Sequence, residues 1–374
     1  MSFFKKIFGR KKTPVATGQE PVPEPIWIQA DSNPWKVQVL DIRPVTDGML
    51  SFSKEKEHAE NAMSYSDEDG SSFEGILPAE ARSFDINIRF NTAGILPDGV
   101  MFLPTAMEDK WAIFLHRDKI IFVRSWLRDV FAIADVVKEP DNLYITRITG
   151  SFPEDMQLDD VTAMLRFLLI SHVIGETCPA PVSREMAEHP IQAANTAFSL
   201  YGRHATIAVF SAYQAQTNTP LRTNTLLHIA TARGDIDGIR QQLAAGIPVD
   251  CPGTDGMAPM YWALVQNNTD VFRELLLNGA DIDTRTGEGS TPLMHAVQRK
   301  NAGHVAYLIA SGANINAMDN RGFTALHRAA EMGLVNIVRL LLEKGADKNI
   351  VAQGETAMSL AAKRNEEEVQ QLLN

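Results

Sequence analysis

Several residues of this sequence match parts of known catalytic motifs, but the other residues that these motifs require are missing. His116-Arg-Asp118 matches the catalytic-loop triplet of protein kinases, but neither a glycine-rich loop nor a correctly spaced downstream asparagine accompanies it. Ser51-Phe-Ser-Lys54 matches the SxxK motif of serine acyl-transfer enzymes without its companion motifs. The sequence also lacks a phosphate-binding loop, a G-x-S-x-G elbow and an HExxH motif. We therefore predict no catalytic residues, no metal ligands and no cofactor.

One cluster of aromatic and basic residues is the exception. Trp111, Arg124 and Trp126 lie on or beside a predicted β-hairpin and could line a ligand groove. The alternative is that they form the core and rim of a sheet, which is the commoner role of tryptophan and arginine next to a strand.

The elements around this cluster predict an α+β domain over residues 26–220. Phe84–Phe90 alternates apolar and polar residues, as a half-buried strand does. Further strands are predicted at Trp111–His116, Ile120–Arg124, Val130–Val137 and Leu143–Ile148, which would form an antiparallel meander. Helices are expected from Asp159 and over Ile191–Tyr201. Residues 54–72, which are acidic and serine-rich, are expected to form a solvent-exposed insertion or loop.

The second half of the chain carries an internal repeat. The hexapeptides TLLHIA, APMYWA, TPLMHA, TALHRA and TAMSLA start at Thr225, Ala258, Thr291, Thr324 and Thr356, at intervals of 33, 33, 33 and 32 residues. A second marker keeps the period: AAGIPVD, LNGADID, ASGANIN and EKGADKN place glycines at 246, 279, 312 and 345. Apolar residues at helical spacing predict two short helices per copy, which must stack on neighbouring copies to bury both faces.

These markers resemble the ankyrin family over residues 221–374, through the TPLH-type helix starts and the glycine after the second helix. The resemblance implies an all-α solenoid of five repeats, in a multi-domain protein with the α+β domain in front. It also implies a recognition surface made of hairpin tips and first helices. The residues that we expect on this surface are Met257, Glu288, Arg299, Arg321, Phe323, Glu331, Met332 and Arg364.

Two histidines occupy the histidine position of the TPLH-type motif. In the family that the sequence resembles, this side chain ties a loop to a helix through hydrogen bonds. We therefore expect His228 and His327 to have this structural role, rather than to bind a metal or take part in catalysis.

Charge and composition limit the partners. The formal net charge of −11 disfavours nucleic acid, because an acidic body repels a phosphate backbone. Two cysteines, Cys178 and Cys251, are too few for a disulfide framework and favour a reducing, cytoplasmic location. Apolar runs are too short for a membrane span, and no signal peptide is recognised.

The first residues differ in character from the rest. Residues 1–12 combine basic side chains with Phe3, Phe4, Ile7 and Phe8, a pattern that suits weak contact with an anionic membrane surface. A disordered basic tail is the alternative. Residues 13–25 are proline-rich and are expected to be a linker.

These observations predict a protein–protein interaction scaffold or adaptor, cytoplasmic or at the membrane periphery, that binds a partner protein through its repeats without catalysis. The alternative is an enzyme or small-ligand sensor in the α+β domain, with the repeat array as its targeting module. No sequence feature assigns the partner.

Overall fold

The computed structural model describes residues 23–374, except 52, 54, 66, 67 and 266–268. The described chain divides into two compact units, one ending at Thr223 and the other beginning at Asn224.

Antiparallel strands dominate the N-terminal unit. The strands are β1 (Ile26–Ile28), β2 (Val39–Asp41), β3 (Arg82–Asn91), β4 (Gly99–Phe102), β5 (Trp111–His116), β6 (Lys119–Arg124), β7 (Asp129–Glu139), β8 (Asn142–Gly150), β9 (Ala180–Pro181) and β10 (Ile207–Val209). In the main sheet, these strands pair in the order β4-β5-β6-β7-β8-β3, with every pair antiparallel. In the smaller sheet the order is β1-β2-β10-β9, and only β10 and β9 are parallel.

The predicted meander is confirmed, with strands that begin and end within a few residues of the expected positions. β5 and β6 are buried along nearly their whole length, so they form the centre of the core. Arg117 forms the turn between them with φ 51°, in the left-handed region. In β3, the side chains of Ile88 and Phe90 are buried in the core and that of Arg89, between them, is exposed, as the alternation predicts.

Helices cover the sheet. They are Arg43–Thr46, Lys56–Met63, Leu158–Leu168 and Pro190–Tyr201, and the third continues as a π-helical segment, Leu169–Ile174. The third helix begins with a capping box between Gln157 and Asp160, and its apolar face joins the main core.

The expectation of an exposed loop over residues 54–72 is wrong. This segment contains the helix Lys56–Met63 and packs onto the sheet through Tyr65, which is buried and donates its hydroxyl to the carbonyl of Ser125. Gly70 lies so close to the ring of Phe114 that a Cβ would come within 2.5 Å of it. The polar composition of the segment concealed these few anchoring contacts.

The C-terminal unit consists of five helix pairs, one per sequence repeat, which we number repeat 1 to repeat 5 with helices A and B. The A helices are Leu226–Arg233, Pro259–Trp262, Pro292–Gln298, Ala325–Glu331 and Ala357–Lys363. The B helices are Ile236–Ala244, Asp270–Leu277, Ala302–Ala310, Val335–Glu343 and Glu367–Leu373. Each helix packs on its counterpart in the next repeat, and the buried side chains form one continuous cluster.

A hydrogen-bond ladder links successive repeats beside the B helices. Asp250 accepts the backbone N–H of Asp281, and Asp283 accepts that of Asn314, each at 3.0 Å. Asn316 accepts the N–H of Asp347 at 2.8 Å. The three acceptor residues are 33 positions apart, so one side chain per repeat fixes the backbone of the repeat that follows.

Candidate functional site

The best-defined surface feature of the C-terminal unit is the hairpin tip that precedes helix A of repeat 4. Asp319 organises this tip, because its carboxylate accepts the backbone N–H groups of Arg321 and Phe323, each at 2.9 Å. Arg328 donates to the same carboxylate at 2.9 Å and to the hydroxyl of Ser290 in the preceding tip at 2.7 Å. Although burial raises the pKa of Asp319, these hydrogen bonds and the charge of Arg328 outweigh it and lower the pKa. These hydrogen bonds hold the backbone of the tip and link it to the preceding tip.

Phe323 and Arg321 stand on this tip. The ring of Phe323 is half-buried and meets the imidazole of His327 edge-on, with ring centroids 5.5 Å apart. The guanidinium of Arg321 lies 5.0 Å from the centroid of the Phe323 ring, a cation–π distance. The two residues thus form one unit, with an exposed charge above a partly covered aromatic ring.

The last turns of the A helices carry the second group of predicted surface residues. Arg299 is exposed, and Met332, one repeat later at the equivalent position, is 37% exposed. Arg364 is exposed and donates to the carboxylate of the half-buried Glu331 at 2.7 Å.

The remaining two predicted surface residues occupy different environments. Glu288 is exposed, and its backbone carbonyl accepts the N–H of Asn320 in the next tip at 3.0 Å. Met257 is half-buried, and its side chain packs against the core of the repeats. A partner could contact Glu288 directly but would reach only part of Met257.

The two TPLH-type histidines tie loop to helix, as expected. Nδ1 of His228 accepts the N–H of Thr225 at 3.1 Å, and its Nε2 lies 3.1 Å from the carbonyl of Met257 in the next tip. His327 makes the same contacts with Thr324 and Glu355. Burial lowers the pKa of His228 to about 4, so its imidazole is neutral at pH 7 and Nε2 carries the proton that it donates.

In the N-terminal unit, Trp111, Arg124 and Trp126 all donate hydrogen bonds to backbone carbonyls. The indole of Trp111 and the guanidinium of Arg124 both donate to the carbonyl of Leu200, at 2.8 and 2.9 Å. Arg124 also donates to the carbonyl of Ser199, so the two side chains cap the C-terminus of the helix Pro190–Tyr201. Trp126 donates to the carbonyl of Met107 at 2.9 Å. A ligand groove at these residues stays a prediction.

A buried charge cluster was missed by sequence reasoning. Asp109 is fully buried (0% exposed) and accepts two hydrogen bonds from Arg203, at 2.7 and 2.8 Å. Burial raises the pKa of Asp109, but the imidazole of His204, the N–H of Thr105 and the charge of Arg203 together lower it to about 2. The only signal in the sequence is the adjacent pair Asp109-Lys110 in front of a buried strand, and the partners lie some 94 positions away.

Within the described residues, no three His, Cys, Asp or Glu side chains lie together in a way that could hold a metal ion. Over the same residues, no helix is long and apolar enough to cross a membrane. Cys178 and Cys251 are both free thiols.

The comparison with known families identifies part of the C-terminal unit. Residues 270–352 match the family model for ankyrin repeats in three copies. The matched segment runs from helix B of repeat 2 to the tip before helix A of repeat 5 and confirms the resemblance seen in the sequence. No curated protein matches the chain.

Proposed function

We propose, from the ankyrin repeats at residues 270–352, that the C-terminal unit is a non-catalytic scaffold or adaptor that binds a partner protein. In this proposal the five helix pairs form one solenoid over residues 221–374, and the partner contacts the tips and the ends of the A helices. The observation that carries it is a repeated position in the last turn of helix A. Val265, Gln298 and Lys363 are exposed there and Glu331 is half-buried, although each lies in helix A, or in the 3-10 turn that continues it, of a repeat that packs into the core.

The chemistry of this surface favours a partner segment that is both apolar and acidic. Met332 and the half-buried Phe323 offer apolar contact area, and anchors of this kind dominate interface energies. Arg299 and Arg321 form no ion pair within the part of the chain that the structure describes. A free guanidinium pairs well with a carboxylate because its planar donors match the two oxygens.

Affinity capture with the full chain tests the proposal. We expect Phe323→Glu to lose the proteins that the wild type retains, because a central anchor is replaced by a charge that repels an acidic segment. The matched control is Arg339→Glu, an exposed position on helix B of the same repeat. Equal retention by both variants would contradict the proposed surface. A large drop in melting temperature for Phe323→Glu alone would reassign the residue to packing.

A second candidate is an enzyme or small-ligand sensor in the α+β domain, residues 26–220, with the array as targeting module. It is favoured by the lysine buried beside Trp126, since isolated buried lysines are rare outside functional sites. If neither ligand binding nor catalysis can be measured for the N-terminal unit, the second candidate is contradicted and the scaffold function remains.

We also propose that residues 1–12 give weak, salt-sensitive contact with anionic membrane and that residues 13–25 are a linker. Both segments are placed by sequence alone, because residues 1–22 lie outside the described residues. The free thiols of Cys178 and Cys251 support a reducing, cytoplasmic location. Pelleting with anionic vesicles at low salt should fall when residues 1–12 are removed, and unchanged pelleting would contradict this contact.

A further inference from the structure

Lys110 is a buried lysine whose amine meets a serine hydroxyl at the surface of the N-terminal unit. Only 8% of Lys110 is exposed, and Nζ lies 2.6 Å from Oγ of Ser51 and 2.9 Å from the carbonyl of Met107. It makes no salt bridge with any carboxylate in the described ranges of the chain. The two residues are 59 positions apart, so the fold brings the pair together.

Burial of the amine favours its neutral form. The rings of Trp126 and Phe198, whose centroids lie 3.9 and 5.7 Å from Nζ, oppose this effect, because a cation–π contact favours the ammonium. Burial is the main cause that lowers the pKa of Lys110 to about 8; Arg124 lowers it further, and Glu108 and Asp109 oppose the shift. A substantial fraction of the amine is therefore deprotonated slightly above neutral pH, which is the form that can accept a proton.

Ser51 is half-exposed and is held by a backbone hydrogen bond. Its N–H donates to the carboxylate of Glu108 at 2.9 Å, while the side chain of its neighbour Leu50 is 80% exposed. Because Ser51 is half-exposed, its hydroxyl lies between the solvent and the buried amine of Lys110. Trp126, which is half-buried, supplies an apolar wall beside it.

We propose that Ser51 and Lys110 form a nucleophile–base pair that hydrolyses a carboxylic ester through an acyl-serine. Neutral Lys110 accepts the hydroxyl proton as Oγ of Ser51 attacks the carbonyl carbon. The new C–O bond forms, the bond to the leaving alcohol breaks, and the ammonium returns its proton to that alcohol. Water then attacks the acyl-serine with Lys110 again accepting the proton, which releases the carboxylic acid and restores Ser51.

A second hydroxyl–base pair nearby serves as an internal comparison. Oγ of Ser53 lies 2.8 Å from Nδ1 of His58, whose ring centroid is 6.1 Å from that of Trp126. Oγ of Ser53 also accepts the N–H of Glu55, so this pair closes a local turn. The amine that contacts Ser51, by contrast, belongs to a buried lysine that is distant in the sequence. Ser51, rather than Ser53, is therefore the nucleophile.

Labelling of the full chain with a fluorophosphonate reagent tests the pair. Attack by Ser51 would form an O–P bond and expel fluoride, with the proton going to Lys110. We expect modification of Ser51, located by peptide mass spectrometry, with a rate that rises with pH around the pKa of Lys110 near 8. Lys110→Met, which keeps the bulk of the buried stem, should slow labelling about 100-fold, as expected for loss of a general base.

Ser51→Ala should abolish labelling, and Ser53→Ala should retain the wild-type rate. Circular dichroism of each variant establishes that it is folded. p-Nitrophenyl acetate provides a second readout, with a burst of p-nitrophenolate in the wild type and in Ser53→Ala but not in Ser51→Ala. Labelling at Ser53, labelling of Lys110→Met at the wild-type rate, or no labelling of the folded wild type at pH 9 would each overturn the proposal. These outcomes are independent of partner capture by the repeats.

Discussion

Arg364 and Glu331, which are one repeat apart, form an ion pair of 2.7 Å across the proposed partner surface. The two side chains remain 61% and 42% exposed, so water and salt screen the pair. A double-mutant cycle with Arg364→Ala and Glu331→Ala should give a coupling free energy of about 0.5 kcal/mol or less in urea unfolding. A coupling of several kcal/mol would mean that the pair stabilises the array and is not available to a partner.

The ladder beside the B helices should contribute more to stability than this exposed pair. Asp283→Ala removes both carboxylate contacts to the N–H of Asn314 and should cost about 1 kcal/mol in urea unfolding. Asn349→Ala is the matched control, because Asn349 occupies the same position in the last repeat boundary and its side chain contacts only Asp347. Equal costs for the two substitutions would show that the ladder adds nothing.

The stability of repeat 1 should fall in mild acid. The pKa of His228 is about 4 in the folded state, below its unfolded value, so the unfolded chain binds more protons between pH 6.5 and 4. The stabilisation is present above pH 6.5 and is lost as the pH falls through 4, a change on the order of 3 kcal/mol. Hydrogen exchange in the helix Leu226–Arg233, corrected for intrinsic rates, measures it.

His228→Gln provides the control for this pH dependence. The variant should be less stable at pH 7 because it loses one of the two contacts of the imidazole. Its stability should then vary less between pH 7 and 4.5. An unchanged slope would assign the acid sensitivity to other groups.

Arg124 should stabilise the N-terminal unit whether or not it also contacts a ligand. Arg124→Met removes the donor from the carbonyl of Ser199 and leaves the carbonyl of Leu200 with the indole of Trp111, and it should cost about 2 kcal/mol. Arg147→Met, at an exposed position paired with Asp85, should leave the melting temperature nearly unchanged. A neutral Arg124→Met would favour the ligand-groove interpretation.

The helix pairs could be predicted from sequence because their determinants are local and repeat every 33 residues. The ladder acceptors Asp250, Asp283 and Asn316 were visible as the last letter of each glycine-containing run, yet their partners are set by stacking. Lys300 and Asn365 occupy the position after helix A that Gly234 and Gly333 hold in repeats 1 and 4. Their φ angles of 57° and 59° lie in the left-handed region, as those of the two glycines do, although a lysine rarely adopts this conformation.

In the N-terminal unit, the individual strands could be predicted from the sequence, but the pairing of distant strands could not. Alternation and turn residues located the strands, but the pairing of β3 with β8 joins distant segments, and periodicity does not specify such pairing. The polar contacts of Lys110 and Asp109 could not be predicted for the same reason, because their partners lie 59 and 94 positions away in the sequence. Ser51 was visible in the sequence as the serine of an SxxK match, but the lysine that the fold brings to it, Lys110, is 59 positions away.

The ladder between repeats also gives the array a direction. Each acceptor side chain binds a backbone N–H that lies after it in the chain, and none of the three described rungs runs the other way. During synthesis, a completed repeat therefore already displays the acceptor on which the next one closes. Loss of repeats 4 and 5 would leave the side-chain oxygen of Asn316 without its partner, and water satisfies such an oxygen easily. Loss of repeat 1 would instead leave the backbone N–H of Asp281 in repeat 2 without its acceptor, Asp250.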